Sequence, residues 1–182
     1  MIITENSALF LDRDGVLNEE LPSDYVKHIS ELKIYNYIYE ALPILKNIFN
    51  KIFIVTNQKG IGKKLMTDDD LTNIHNHLVN NIKFHGGTID KIYYCSALND
   101  NDTHRKPNAG MAFDALADYP TINLKQSIMV GNNMSDMLFG RNAGMQTVLV
   151  TTTNKPYTMP HNSIDYQFEN LLAATHYMQQ LK

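Results

Sequence analysis

Five short runs rich in β-branched and aromatic residues recur along this 182-residue chain, with helical patterns filling the spaces between them. The runs are Ala8–Leu11, Ile52–Val55, Ile92–Cys95, Ile128–Val130 and Thr147–Val150, with a weaker one near Tyr166. Helical patterns fall at about 37–50, 67–84, 108–118, 134–143 and 169–181. Short continuous apolar runs suit strands buried on both faces. Strands that alternate with helices predict a mainly parallel sheet with helices on both faces, a three-layer α/β fold. Thr67 before Asp68-Asp69-Asp70 is a start signal, a hydroxyl cap followed by acids in the first turn. Asn108 is expected to play the same part for the next helix, and Pro43 predicts a kink or a later start in the first one. No repeat, linker or shift in composition divides the chain, so residues 1–182 are expected to form one domain.

In such sheets ligands bind outside the carboxyl ends of the strands, at a topological switch point. The chemistry-bearing residues lie at those ends. Asp12 and Asp14 follow the first run, where an extended chain starts them on the same side, and Gly15 then lets the backbone turn away. Such a pair can hold a divalent cation while one carboxylate attacks phosphorus and the other handles a proton. Thr56, Asn57 and Gln58 follow the second run, a hydroxyl and two amides where a phosphate oxygen needs donors. Arg105 and Lys106 precede the 108–118 helix, whose N-terminus adds to their attraction for an anion. Asn132 and Asp136 stand four apart where a helix begins after the fourth run. Singly, each group has an ordinary reading as an acidic turn, a strand-end hydroxyl, a solvated cation or a helix-start acid. Four groups in this order, each at a strand end or helix start, point to one site.

Bulk properties exclude other classes. A net charge of −3 with no basic run gives no electrostatic reason to expect nucleic acid. No apolar stretch approaches the roughly 18 residues that span a bilayer, and Met1–Asn6 has no basic segment leading into an apolar one, so no membrane association is expected. A single cysteine, Cys95, excludes an internal disulfide and fits a reducing, cytoplasmic setting. Gly60-Ile61-Gly62-Lys63-Lys64 is similar to the tail of a P-loop but lacks the first glycine and the Ser or Thr, and reads as a flexible turn. His75 and His77, two apart on a helix, face different ways and would not share a metal.

With these residues in place, the chain resembles the haloacid dehalogenase-like (HAD) phosphatases. Their pattern is Asp-x-Asp-Gly, a Thr or Ser after the second strand, a Lys, and Gly-Asp-x-x-x-Asp or a variant. Phe10–Asn18, Val55–Gln58, Arg105–Pro107 with Gly110-Met111, and Met129–Gly131 are closer still to the branch of heptose 1,7-bisphosphate phosphatases and histidinol-phosphate phosphatases. The resemblance implies a Rossmann-like HAD fold and a Mg²⁺-dependent phosphomonoesterase working through an aspartyl-phosphate. Asp12 would be the nucleophile, Asp14 the general acid and base, Thr56 a phosphoryl donor and Lys106 the neutralising cation. Asp12, Asp14 (through its carbonyl), Asn132 and Asp136 would form the metal site, and Asn57, Gln58 and Arg105 would orient substrate. The spans from Asp14 to Thr56 and on to Lys106 leave no room for a large cap domain. The loops at 17–28 and 98–104 would therefore select a small phosphorylated metabolite, in a monomer or weak dimer.

The implied substrate is a sugar bisphosphate such as D-glycero-D-manno-heptose 1,7-bisphosphate, with histidinol phosphate as the alternative. Asn132 stands where many relatives carry a metal-binding Asp. The loss of a charge pair at 4 Å, about 4 kcal/mol gross at an effective dielectric of about 20, predicts weaker Mg²⁺ binding. That departure keeps open a phosphate-binding protein without turnover. The branch often carries a Cys/His zinc loop before Arg-Lys-Pro; here only Cys95 and His104 are present and four ligands are needed, so no zinc is expected.

Overall fold

Strands β1 (Ala8–Leu11), β2 (Lys51–Asn57), β3 (Lys91–Cys95), β4 (Ile128–Gly131), β5 (Gln146–Val150) and β6 (Tyr166–Phe168) alternate with helices α1 (Ile38–Ile48), α2 (Lys59–Gly62), α3 (Asp68–Phe84), α4 (Gly110–Asp118), α5 (Met134–Asn142) and α6 (Leu171–Gln179). This is a computed structural model that describes residues 1–22 and 24–181. All six strands run parallel in the order β3-β2-β1-β4-β5-β6. The chain leaves β1 toward β2 and β3 on one side, then returns to build β4, β5 and β6 on the other. The order reverses between β1 and β4, which places the switch point at the end of β1.

The three layers follow from strand alternation. Leu9 and Leu11 of β1 pack with Ile52, Ile54, Val130 and Val148 against α1, α6 and the second half of α3. Ala8 and Phe10 point the other way, with Phe53, Val55 and Met129, against α4 and α5. Every residue of β1 is buried, as a central strand covered on both faces must be. Such burial contributes about 1.5–3 kcal/mol for each large aliphatic or aromatic side chain. That scale explains α1, which starts at Ile38 and continues past Pro43 instead of starting after it. The proline removes one helical hydrogen bond, at a cost of about 3 kcal/mol, while Ile38, Leu42, Leu45 and Ile48 are buried along the same helix.

Local signals were used in two ways. Thr67 caps α3 as expected, its hydroxyl accepting from the Asp70 N–H at 3.1 Å while the Asp70 carboxylate accepts from the Thr67 N–H at 2.9 Å. Asn108 does not cap α4. Its amide donates to the carbonyls of Asp102 (2.8 Å) and Asp100 (3.3 Å), so it ties the preceding loop, and α4 begins at Gly110. The 60–64 segment is likewise not a plain turn: Lys59–Gly62 forms the short helix α2.

Candidate active site

Register brings the site together. Leu11 lies beside Ile54 of β2 and Val130 of β4, and the Asp12 N–H continues the ladder by donating to the Val130 carbonyl at 3.0 Å. Asp12 therefore emerges between the ends of β2 and β4. Lys106, 4% exposed, reaches the same point from the loop before α4. Its ammonium lies 2.7 Å from Asp12 Oδ1, 2.7 Å from Asp136 Oδ1 and 2.8 Å from the Val55 carbonyl. Three acceptors meet its three protons. Asn57 holds the backbone of Lys106 in place, donating to its carbonyl at 3.1 Å and accepting from its N–H at 3.0 Å. Burial opposes the charge on Lys106, but Asp12 and Asp136 outweigh it and raise its pKa. Burial pushes the Asp12 carboxyl up to about 7, with Asp136 adding to the rise and Lys106 opposing it.

Asp14 has different surroundings. Arg13 donates to it through Nε (3.2 Å to Oδ1) and Nη2 (2.9 Å to Oδ1, 2.8 Å to Oδ2). Asn18 Nδ2 adds a bond to Oδ1 at 2.9 Å and Gln58 Nε2 one to Oδ2 at 3.0 Å. Burial works against ionisation of Asp14, yet Arg13, then Asn18 and Gln58, hold its carboxyl below the usual carboxylate range. Gln58 Nε2 also donates to Thr56 Oγ1 at 2.9 Å, which leaves the hydroxyl proton of Thr56 to point elsewhere. Gly15 makes the turn possible with φ +84°. A Cβ on it would stand 2.1 Å from Asn132 Nδ2, so glycine is needed for space as well as for conformation.

Asn132, 0% exposed, lies behind that turn and just before α5. Its Nδ2 donates to Glu20 Oε2 at 2.9 Å and to Thr153 Oγ1 at 2.7 Å, which fixes the orientation of the amide. Its Oδ1 is buried and has no hydrogen-bond partner among the described residues. An orphaned amide oxygen against the Gly15 turn, next in sequence to Asp14 of the cavity wall, is a hard oxygen donor of the kind that suits Mg²⁺. Asp136 is less free: Oδ1 faces Lys106 and Oδ2 accepts from the Asn133 N–H at 3.0 Å. Gly131 lets it lie across the end of β4, since a Cβ there would stand 2.2 Å from Asp136 Cβ.

Asp12, Asp14, Thr56, Asn57, Lys106 and Asp136 line one cavity of about 170 Å³, together with Glu20, Asp24, Tyr25 and Ser135. Five carboxylates face it and one ammonium does. The 17–28 loop supplies part of the wall, as expected; the 98–104 loop does not, and Asp100 and Thr103 line a separate depression near Phe113. Arg105 is not brought to the cavity. Its Nε donates to Asp100 Oδ1 at 2.9 Å, which turns it toward the 98–104 loop. Asn18 and His75 escape a reading of the sequence, and Glu20 is legible only as one of the acids of the 17–28 loop. Asn18 carries only the signal of following the Asp-x-Asp turn, and His75 carries none.

Cys95 and His104 do not meet each other but both approach Asp102, whose Oδ1 accepts from the His104 N–H at 2.9 Å. Cys95 Sγ is 3.6 Å from Asp102 Oδ1, and His104 Nε2 is 3.1 Å from Asp114 Oδ2. Among the described residues no three His, Cys, Asp or Glu side chains group to hold a metal, and no helix is long and apolar enough to cross a membrane.

A HAD-hydrolase-like family model matches residues 103–174. The D-glycero-β-D-manno-heptose-1,7-bisphosphate 7-phosphatase of Helicobacter pylori is 36% identical over 172 residues, covering 93% of this chain and 95% of that enzyme. The chain belongs to the HAD-like phosphatases. The D-glycero-α-D-manno-heptose-1,7-bisphosphate 7-phosphatase of Campylobacter jejuni is 32% identical over 167 residues, 92% of each. The D,D-heptose 1,7-bisphosphate phosphatase from B. bronchiseptica, crystallised with magnesium and phosphate, matches with a TM-score of 0.87 at 26% identity, over 97% of this chain and 99% of that one. This HAD-like phosphatase is thus a phosphoric monoester hydrolase with the six-stranded parallel sheet of its relatives.

Proposed function

We propose that this HAD-like phosphatase removes the 7-phosphate of D-glycero-D-manno-heptose 1,7-bisphosphate, with Mg²⁺, through an aspartyl-phosphate on Asp12. The observation that carries the chemistry is Lys106, whose ammonium joins Asp12 and Asp136 at 2.7 Å each beside Asp14. With Oδ1 of Asp12 held by Lys106, Oδ2 is the oxygen that attacks. Its bond to phosphorus forms as the bond from phosphorus to the C7 oxygen breaks, and that oxygen leaves with a proton from Asp14. Water then attacks the phosphoryl group, gives a proton to Asp14 and releases Asp12. Asp14 rests as a carboxylate, so the proton it donates has to arrive with the substrate or from solvent. Thr56 donates its free hydroxyl proton to a phosphoryl oxygen.

Asp12, the Asp14 carbonyl and Asn132 Oδ1 would hold Mg²⁺, with Asp136 close by. When bound, the ion neutralises phosphoryl charge in a cavity that otherwise presents five carboxylates. The remaining work belongs to the chain's own dipoles and charges, held in place before substrate arrives. Lys63, whose ammonium is 5.1 Å from the ring centre of Tyr25 in the cavity wall, would be the cation for the second phosphate. Names of relatives over nearly the full chain support the heptose bisphosphate.

Glu20 and Asp24 would suit the amine of histidinol phosphate instead, but Asp24 is already paired with Lys27 at 2.6 Å. Phosphate release from the heptose bisphosphate, other sugar phosphates and histidinol phosphate, with Asp12→Asn as control, tests the reading. The heptose bisphosphate is expected to give the highest kcat/KM, with turnover lost in EDTA and in Asp12→Asn. Preference for histidinol phosphate would overturn the substrate; full activity in Asp12→Asn would overturn the nucleophile.

A further inference from the structure

Arg13 is 1% exposed and heads the fully buried side chains by size, although its sequence neighbours face the catalytic cavity. Three of its donors go to Asp14. Its remaining nitrogen, Nη1, lies 3.2 Å from Nε2 of His75 on α3, 62 residues away. Guanidinium cannot accept, so Nε2 must, and the imidazole is neutral with its proton on Nδ1. Burial, then the charge of Arg13, pushes the His75 pKa down to about 3, in keeping with that tautomer.

We propose that His75 is a positioning residue for catalysis: by taking Nη1 of Arg13 it fixes the plane of the guanidinium and, through it, the Asp14 carboxylate at the leaving oxygen. The inference rests on the acid–base role given to Asp14 above. Arg13 is long and flexible, and its fork on Asp14 fixes the two groups relative to each other but does not by itself anchor that guanidinium to a second element of the fold. The second anchor comes from a rigid helix. α3 is capped by Thr67 and Asp70, and Leu71 and Ile74, in the turn leading to His75, are fully buried beside Val26 and Met66. A neutral acceptor also suits the position. A carboxylate there would compete with Asp14 for the charge of Arg13, and a cation would repel it.

A general acid matters more as the leaving oxygen becomes more basic. 4-Nitrophenyl phosphate departs with little need of a proton, whereas phenyl phosphate needs one, and kcat/KM reports the step in which that oxygen leaves. His75→Asn keeps a polar amide but is too short to reach Nη1, and His75→Leu removes the acceptor. His75→Gln places an amide oxygen near the position of Nε2. The expected result for Asn and Leu is a loss of roughly tenfold or more on phenyl phosphate and less than about threefold on 4-nitrophenyl phosphate, a selective loss in keeping with a displaced acid. His75→Gln should stay within about twofold of the parent on both esters.

Equal losses on the two esters in Asn and Leu, or no loss on either, would overturn the inference. So would His75→Gln behaving like His75→Asn. Asp14→Asn separates the two levels of the argument. If Asp14→Asn loses selectively on phenyl phosphate and the His75 variants do not, only the role of His75 fails. If Asp14→Asn shows no selectivity, the acid role of Asp14 fails and His75 with it. Aryl esters do not depend on which sugar is the natural substrate, so an error there leaves the test intact.

Discussion

Replacing Asn132 by aspartate puts a carboxylate oxygen where the amide nitrogen now sits, 2.9 Å from Glu20 Oε2. Two unit charges at that distance repel by about 6 kcal/mol gross at an effective dielectric of about 20. Glu20 is exposed and can turn into solvent, so the part of this that survives is about 1 kcal/mol. Position 132 has no such escape. It is fully buried behind Gly15, and a carboxylate there gives up hydration close to a cavity wall that already carries Asp12, Asp14 and Asp136. A further cost of about 2 kcal/mol is reasonable for a partly compensated buried charge. Metal-free Asn132→Asp should therefore be less stable than the parent by about 3 kcal/mol, and Asn132→Asp with Glu20→Gln should recover about 1 kcal/mol of it. The added charge should also tighten Mg²⁺ about 10- to 100-fold, equivalent to about 1.4–2.8 kcal/mol. The chain has no tryptophan, so urea unfolding in EDTA and in Mg²⁺ is best followed by far-ultraviolet circular dichroism, with calorimetry for Mg²⁺ binding. A variant as stable as the parent without metal and no tighter for Mg²⁺ would refute the reasoning. Asn132 Oδ1 would then not face a cation, and its fixed orientation toward Glu20 and Thr153 would have no functional meaning.

Lys106→Met leaves Asp12 and Asp136 buried without their shared counter-charge, and should cost about 3–5 kcal/mol in metal-free urea unfolding near neutral pH. Its kcat should fall about 100- to 1000-fold, the range for losing one preorganised electrostatic group; a loss below tenfold would remove Lys106 from the chemistry. His75 carries a pH signature. Its folded pKa of about 3 lies below the unfolded value of about 6.5, so between them the unfolded chain binds the extra proton. The stability it contributes is complete above pH ~6.5 and is lost as pH falls toward ~3, on the order of 4 kcal/mol in all. In the difference between the parent and His75→Gln, the opposite slope expected from Asp12 cancels; stability curves that stay parallel across this window would count against a buried neutral imidazole. Arg105→Ala should keep kcat/KM within about twofold, because the side chain serves Asp100 and not the cavity. A tenfold rise in KM would return it to substrate binding.

The fold was legible because its signals are local. β1, β2 and β4 are apolar runs flanked by polar residues, and the parallel order needs only that strands alternate with helices. Where local signals misled, burial or a competing bond decided the outcome. Pro43 is carried inside α1 by the apolar face around it, and the amide of Asn108 found the carbonyls of Asp100 and Asp102 before it could cap a helix. The convergence of Asp12, Asp14, Thr56 and Lys106 was legible for a topological reason: each follows a strand or precedes a helix at the same end of one sheet.

What the sequence hides is the layer of side chains that hold those four in place. Arg13 sits between two aspartates, and alternation would point it away from them into the protein. It is buried as alternation suggests, yet the turn at Gly15 brings its guanidinium back alongside Asp14, a contact with no periodic signature. Its other partner, His75, is 62 residues away, and Glu20 is 112 residues from Asn132. Contacts over such separations depend on side-chain length and rotamer at both ends, which composition and spacing do not record. The two aspartates of the Asp-x-Asp turn consequently differ by environment alone. Burial and Asp136 raise the carboxyl of Asp12 despite Lys106, while Arg13, Asn18 and Gln58 lower that of Asp14 despite burial. Two identical side chains one residue apart are driven in opposite directions, and their roles are assigned by position instead: Asp12 is the carboxylate held by Lys106, while Asp14, resting as a carboxylate, takes on its proton only with substrate or from solvent.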